Sequence, residues 1–206
     1  MWVAMTLQAD ESKHEFLGGL TTIFDLEFTA WEGSAARGWS GPDEYREIVQ
    51  IGAVRVDGGN AFAEVDRFTA YVRPVKNPVL SDYFVSLTGI TQADVDRHGV
   101  SFPEALAAFS EFVGDDGAAV VSNGADHTAL DENCALHDIA CPIDAARFLD
   151  IRPRFARLLG LATPEVISAK LPSLFRLPSR RREHDALADS LAIVQALRHL
   201  RETGRL

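Results

Sequence analysis

Hydrophobic and polar positions change their period along the chain, and each change marks a different kind of element. Leu20-Thr21-Thr22-Ile23-Phe24-Asp25-Leu26-Glu27-Phe28 is an apolar run with acids at alternate positions, and residues 47–56 and 67–73 form two more apolar stretches. Turn chemistry separates them at Gly38 to Pro42 and at Asp57-Gly58-Gly59-Asn60. The first third therefore predicts a meander of strands.

After Pro74 and Pro78 the spacing becomes helical, first at 80–87 and then at 102–113, where Ser101 can cap and Pro103 suits the first turn. The run at 118–122 is short, apolar and bounded by glycine, which predicts a buried strand. A helix over 126–137, a strand over 145–151 and a last, longest helix over 185–200 follow. A meander followed by alternating helices and strands predicts an α/β layered domain with a mixed sheet.

Composition narrows the setting. With 206 residues, 47% hydrophobic and 24% charged, the chain can bury one core, and one domain over 20–202 is expected. Residues 1–19 lack a period and end in Gly18-Gly19, which reads as an N-terminal tail or extension. No stretch approaches the roughly 20 apolar residues of a membrane helix, and Asp10, Glu11, Lys13 and Glu15 stand where a secretory leader is apolar. A cytoplasmic protein with no membrane partner is expected. Cys134 and Cys141 have no paired CxxC motif, so free or buried thiols are expected rather than a zinc site. The net charge of -10 excludes a general nucleic-acid coat protein, so any nucleic-acid contact is local or mediated by metal.

Candidate chemistry starts with Asp25 and Glu27, which a strand projects from one face. Taken alone, the pair is better explained by a half-buried strand with an acidic polar face. In the last helix Leu187, Leu191 and Val194 make one apolar face, and Ala186, Ile193 and Ala196 make another that includes Asp189. A buried carboxylate needs pairing, hydrogen bonds or a metal, whereas Asp185 is explained as a helix N-cap. Asp126 falls where a strand ends and a helix begins, a place for an active group or for a simple cap. His184, in the loop before the last helix, suits a general base or a surface histidine. Hard oxygen donors of this kind suit Mg²⁺ or Mn²⁺.

With their flanking runs, these residues resemble the DEDDh 3′-to-5′ exonucleases, in particular the exoribonuclease branch of the eri-1, 3′hExo and KapD-like proteins, over about residues 21–200. The resemblance is carried by Phe24-Asp25-Leu26-Glu27-Phe28-Thr29-Ala30-Trp31-Glu32 and by Glu47-Ile48-Val49-Gln50-Ile51-Gly52-Ala53. Tyr71-Val72-Arg73-Pro74, Leu80-Ser81-Asp82-Tyr83 and Leu87-Thr88-Gly89-Ile90-Thr91-Gln92-Ala93-Asp94-Val95 match the branch more specifically. Gly124-Ala125-Asp126, continued by Leu130, Asn133 and Cys134, matches the second acidic motif but is one residue short after the glycine. That leaves Asp131 as a competitor, and the downstream spacing favours Asp126. His184 and Asp189 match the third motif, with Ala188 where many relatives carry another acid.

The resemblance implies an RNase H-like mixed β-sheet flanked by α-helices. It implies two ions, Mg²⁺ or Mn²⁺, held by Asp25, Glu27, Asp126 and Asp189, with His184 as general base. Nucleoside 5′-monophosphates would leave the 3′ end of single-stranded RNA; DNA-directed proofreading and a non-catalytic nucleic-acid adaptor are the alternatives. Tyr83 would stack on the terminal base, Leu26, Phe28 and Thr29 would line the nucleotide pocket, and Leu87 would form its apolar wall. Plain helix core is the other account of Tyr83 and Leu87. Arg176 and Arg180-Arg181-Arg182 either guide the nucleic-acid backbone or form a solvated loop.

Overall fold

The three apolar runs of the first third become β1 (Leu20–Phe28), β2 (Ile48–Asp57) and β3 (Ala63–Tyr71), an antiparallel meander. The structure, a computed structural model, describes residues 17–178 and 184–206. Residues 1–16 of the expected N-terminal extension and the Arg180-Arg181-Arg182 run lie outside the described residues. β4 (Ala119–Ser122) and β5 (Phe148–Asp150) join the other side of β1 in parallel, giving the order β3-β2-β1-β4-β5.

Parallel neighbours need crossovers, which helices supply. Between β3 and β4 run α1 (Asp82–Thr88), α2 (Gln92–His98) and α3 (Phe102–Val113), and α4 (Asp126–Leu136) links β4 to β5. The chain ends with α5 (Arg152–Leu159), α6 (Leu171–Leu174) and α7 (Ala186–Glu202). α3 begins as its sequence predicts: the Ser101 side chain accepts from the Glu104 amide, and Glu104 accepts from the Ser101 amide at 2.9 Å. Gly114, at φ 67°, ends it.

The differences from the sequence expectation have local causes. β3 begins at Ala63 instead of 67, because it is a largely exposed edge strand whose polar residues hide its period. Val72 leaves that ladder to bridge Val100. The strand expected over 145–151 pairs only over 148–150, since a single helical turn, capped by the Asp144 side chain, takes 145–147. α2 is seven residues long and shows too little period, but a Thr91/Asp94 capping box marks its start. α5 and α6 are likewise too short to announce themselves.

Alternation along the strands divides the core between two faces. Ile23, Val54, Val56 and Val121 pack against Ile193, Val194 and Leu197 of α7 together with Phe155 and Leu171. Phe24, Leu26, Ile51 and Val120 pack against Leu106 and Phe109 of α3 and Leu130 of α4. Phe24 lies 5.5 Å from the Phe109 ring and 5.9 Å from the Phe148 ring. Asp25 and Glu27 share the Ile23 face, so β1 aims them towards α7. Leu17, on the tail side of the expected boundary, is buried in this core at 2% exposure, so packing begins before β1. Cys134 is a buried free thiol and Cys141 a half-buried one. Among the described residues no helix is long and apolar enough to cross a membrane.

Candidate active site

Asp25 and Glu27, on the central strand of the sheet, are 7% and 8% exposed. Facing them, the first turn of α7 brings Asp189, 5% exposed. The start of that helix is pinned from β2: the Gln50 side chain accepts from the Ala186 amide at 2.9 Å and donates to Asp185 at 3.1 Å. Asp185 in turn accepts from the Ala188 amide at 2.9 Å, the capping role its position suggested. Because Gln50 is the ladder partner of Glu27, this docking sets the helix carrying Asp189 beside the strand carrying Glu27.

His184 adopts a left-handed conformation, φ 58°, two residues before α7. One ligating atom each of Glu27, His184 and Asp189 lie within 4.8 Å of one another. Asp126 opens α4 at the end of β4, where Ala125 takes the N-cap position and supplies no side-chain cap. Asp126 lines the same cleft as the other three acids, while Asp131 is exposed further along the helix.

Electrostatics follow from this crowding. Burial pushes Asp25 well above the usual carboxylate range, and the charges of Asp126, Asp189 and Glu27 add to the effect, against a hydrogen bond from Ser168. Glu27 is raised for the same reason, by burial and then by Asp189, Asp126 and Asp185. Asp126 is half-buried as a residue, but its carboxyl lies deep enough that desolvation lifts it to about 6, with Arg152 pulling down and Asp150 pushing up. Four acids so placed resist ionising together unless a cation joins them. All-oxygen carboxylate donors with one imidazole nearby fit a hard divalent cation.

The cleft holds about 340 Å³ and is bordered by Leu26, Phe28, Tyr83, Leu87 and Arg152 as well as the acids and His184. Tyr83 and Leu87, four residues apart on α1, share a face and are 40% and 37% exposed, so neither is helix core. Leu26 and Phe28 border the cleft while packing mainly into the opposite side of the sheet. Thr29 is not in the lining: its hydroxyl donates to the Tyr45 carbonyl at 2.5 Å and accepts from the Glu47 amide at 3.0 Å. Arg176 is exposed and is not in the cleft lining. A larger hollow of about 900 Å³, lined by Ser110, Glu111, Asp144 and Arg147 among others, holds none of the acid–histidine group.

Three residues of the site escaped the sequence reading. Gln50 falls inside the Glu47–Ala53 run, which assigns it no role. Arg152 begins α5, with its Nε donating to the Asn123 carbonyl at 2.9 Å, and Gly124, φ 145°, leaves the room its guanidinium occupies. Ser168 donates to Asp25 Oδ1 at 2.9 Å from 143 residues away, which no local pattern signals.

The sequence profile of the exonuclease family RNase_T matches residues 22–197. Human 3′-5′ exoribonuclease 1 is 40% identical over 84 residues, which is 41% of this chain and 22% of that protein. The rat protein of the same name is 26% identical over 189 residues, 87% of this chain and 52% of its own length. The chain thus spans about half or less of these relatives. The nuclease domain of 3′hExo, a DEDDh family member bound to rAMP, superposes with a TM-score of 0.77 at 25% identity, covering 93% of this chain and 96% of that one. The mixed sheet and its helices are therefore the RNase H-like fold of the DEDDh exonucleases.

Proposed function

The chain belongs to the RNase_T exonuclease family, and from that premise we propose that it is a metal-dependent 3′-to-5′ exoribonuclease releasing nucleoside 5′-monophosphates. The observation that carries this reading is the convergence of Asp25, Glu27, Asp126, Asp189 and His184, from separate segments, on one cleft.

In this reading Asp25, Glu27, Asp126 and Asp189 hold two divalent ions. Bound Mg²⁺ or Mn²⁺ supplies positive charge for the scissile phosphate and polarises water. That local charge also answers the protein's overall negative balance, which would otherwise repel nucleic acid. His184 accepts a proton from the attacking water, and the adjacent Glu27 and Asp189 carboxylates hold the imidazolium that results. The new bond forms between water oxygen and phosphorus; the bond to the 3′ oxygen of the penultimate nucleotide breaks, and that oxygen takes up a proton. Tyr83 offers its exposed ring to the terminal base, and Leu87 covers the sugar or base edge beside it. The rAMP held by the 3′hExo nuclease domain supports a ribonucleotide as the occupant.

The test is product analysis on RNA and DNA oligomers labelled at the 3′ or 5′ end, with Mg²⁺, Mn²⁺ or EDTA. Release of 3′-terminal 5′-monophosphates from RNA, stopped by EDTA, is expected. Equal or faster decay of DNA would move the substrate to the proofreading class, and no release with either metal would make the protein an adaptor.

A further inference from the structure

We propose that Ser168 is a positioning residue for Asp25: oriented by Asn123, its hydroxyl occupies one carboxylate oxygen and leaves the other to face the cleft and bind divalent cation. This rests on the metal-dependent reading above.

Ser168 is 6% exposed, in the single helical turn Ser168–Lys170. Its Oγ donates to Asp25 Oδ1 at 2.9 Å. Behind it, Asn123 Nδ2 donates to the Val166 carbonyl at 3.0 Å and to Ser168 Oγ at 3.4 Å. An amide nitrogen can only donate, and a serine hydroxyl has a single hydrogen. Once Oγ accepts from Asn123, its hydrogen is directed at Asp25. The amide orientation is itself constrained, since the flipped form would set its oxygen against the Val166 carbonyl. Asn123 is also 1% exposed and its own carbonyl accepts from Arg152. One buried residue, through its side-chain amide and its main-chain carbonyl, therefore ties the end of β4, the Val166–Ser168 segment and Arg152 into the support of Asp25.

A cation ligand free to rotate spreads its oxygens over several directions; one anchored through Oδ1 keeps a fixed direction for Oδ2. Outer partners of this kind typically tune metal affinity by about 10- to 100-fold.

The test is calorimetric titration of the metal-free full chain with Mn²⁺, using wild type, Ser168→Ala, Ser168→Thr and Ser168→Cys, with kcat, KM and Tm recorded for each. Ser168→Ala is expected to weaken Mn²⁺ binding by about 10- to 100-fold while KM for RNA stays within about threefold. Ser168→Thr, which keeps the donor, should restore binding. Ser168→Cys, close in volume but a weak donor, should reproduce the loss if alanine unfolds the loop. Wild-type Mn²⁺ affinity in folded Ser168→Ala or Ser168→Cys overturns the positioning role and leaves the exonuclease reading intact. A wild-type protein that takes up no Mn²⁺ overturns both.

Discussion

Gly52 lies opposite Asp25 in the β1–β2 ladder, and the start of α7 descends onto it so closely that a Cβ there would collide with the Leu187 amide nitrogen and the Ala186 carbonyl. Ser190 fastens the contact by donating to the Gly52 carbonyl at 2.9 Å. The missing side chain sets the gap between the strand bearing Asp25 and Glu27 and the helix bearing Asp189. Gly52→Ala should cost about 1–3 kcal/mol as overpacking, or ~2–12 °C in Tm for a chain of this size. It should also lower kcat by at least about tenfold, since a misplacement of about 1 Å near reacting groups is costly. Calorimetry and kinetics that both match wild type would show that α7 can shift without consequence.

Asp25→Asn should cut turnover by about 10³-fold or more, the scale seen when one member of a concerted catalytic group is removed. The metal-free variant should unfold at the same temperature as wild type or above it, because one of several crowded, buried acids has lost its charge. A fall in Tm with activity retained would recast Asp25 as a structural residue.

For His184→Ala, kcat should drop by about 10²- to 10⁴-fold, the usual worth of general acid–base catalysis. Mn²⁺ affinity should stay within a few-fold of wild type. His184 offers a ligating atom within 4.8 Å of those of Glu27 and Asp189, so the metal titration separates a base from a ligand. Metal affinity falling in step with kcat would make His184 a ligand.

Tyr83 is 40% exposed on the cleft wall, so its removal should be felt in binding. Tyr83→Ala is expected to raise KM for RNA oligomers by ~5- to 150-fold, equivalent to the 1–3 kcal/mol of a base–aromatic stack. Tyr83→Phe should leave KM nearly unchanged. If alanine lowers kcat alone, the ring orders the catalytic acids instead of holding a base.

What could be read from the sequence is what local geometry dictates. Strand alternation alone places Asp25 and Glu27 together, and a carboxylate in an apolar helix singles out Asp189. Thr29, which the family resemblance and not alternation assigns to the pocket, lies beyond the reach of that logic. The ladder shifts register between Glu27 and Phe28 and β1 ends there, so Thr29 turns to bond Tyr45 and Glu47 instead of following the alternation into the cleft. Gln50, Arg152 and Ser168 were illegible for another reason. Each acts through a contact made only after the sheet has closed: Gln50 across 136 residues to Ala186, Arg152 across 29 to Asn123, Ser168 across 143 to Asp25. Short α2 and the first residues of exposed β3 give no signal because neither buries enough of a face to impose a period.

Asp126 gives the cluster a pH signature with a definite sign. Its folded-state value is lifted to about 6, chiefly by burial, from an ordinary 3.8. Between those values the native state holds a proton that the unfolded chain has released, so the metal-free protein loses stability from this group as pH rises through the window. Asp25 and Glu27, raised in the same direction, extend the trend upward. Asparagine imitates the protonated form and does not titrate. Asp126→Asn should therefore match wild type in Tm near pH 4 and exceed it by a growing margin up to about pH 7, with EDTA present throughout. Added Mn²⁺ should reverse the ranking at pH 7, since the cation stabilises the ionised acids of wild type and finds one fewer in the variant. Thermal melts of both proteins from pH 4 to 8 decide it: a Tm difference independent of pH would mean that Asp126 ionises as freely in the cleft as in the unfolded chain.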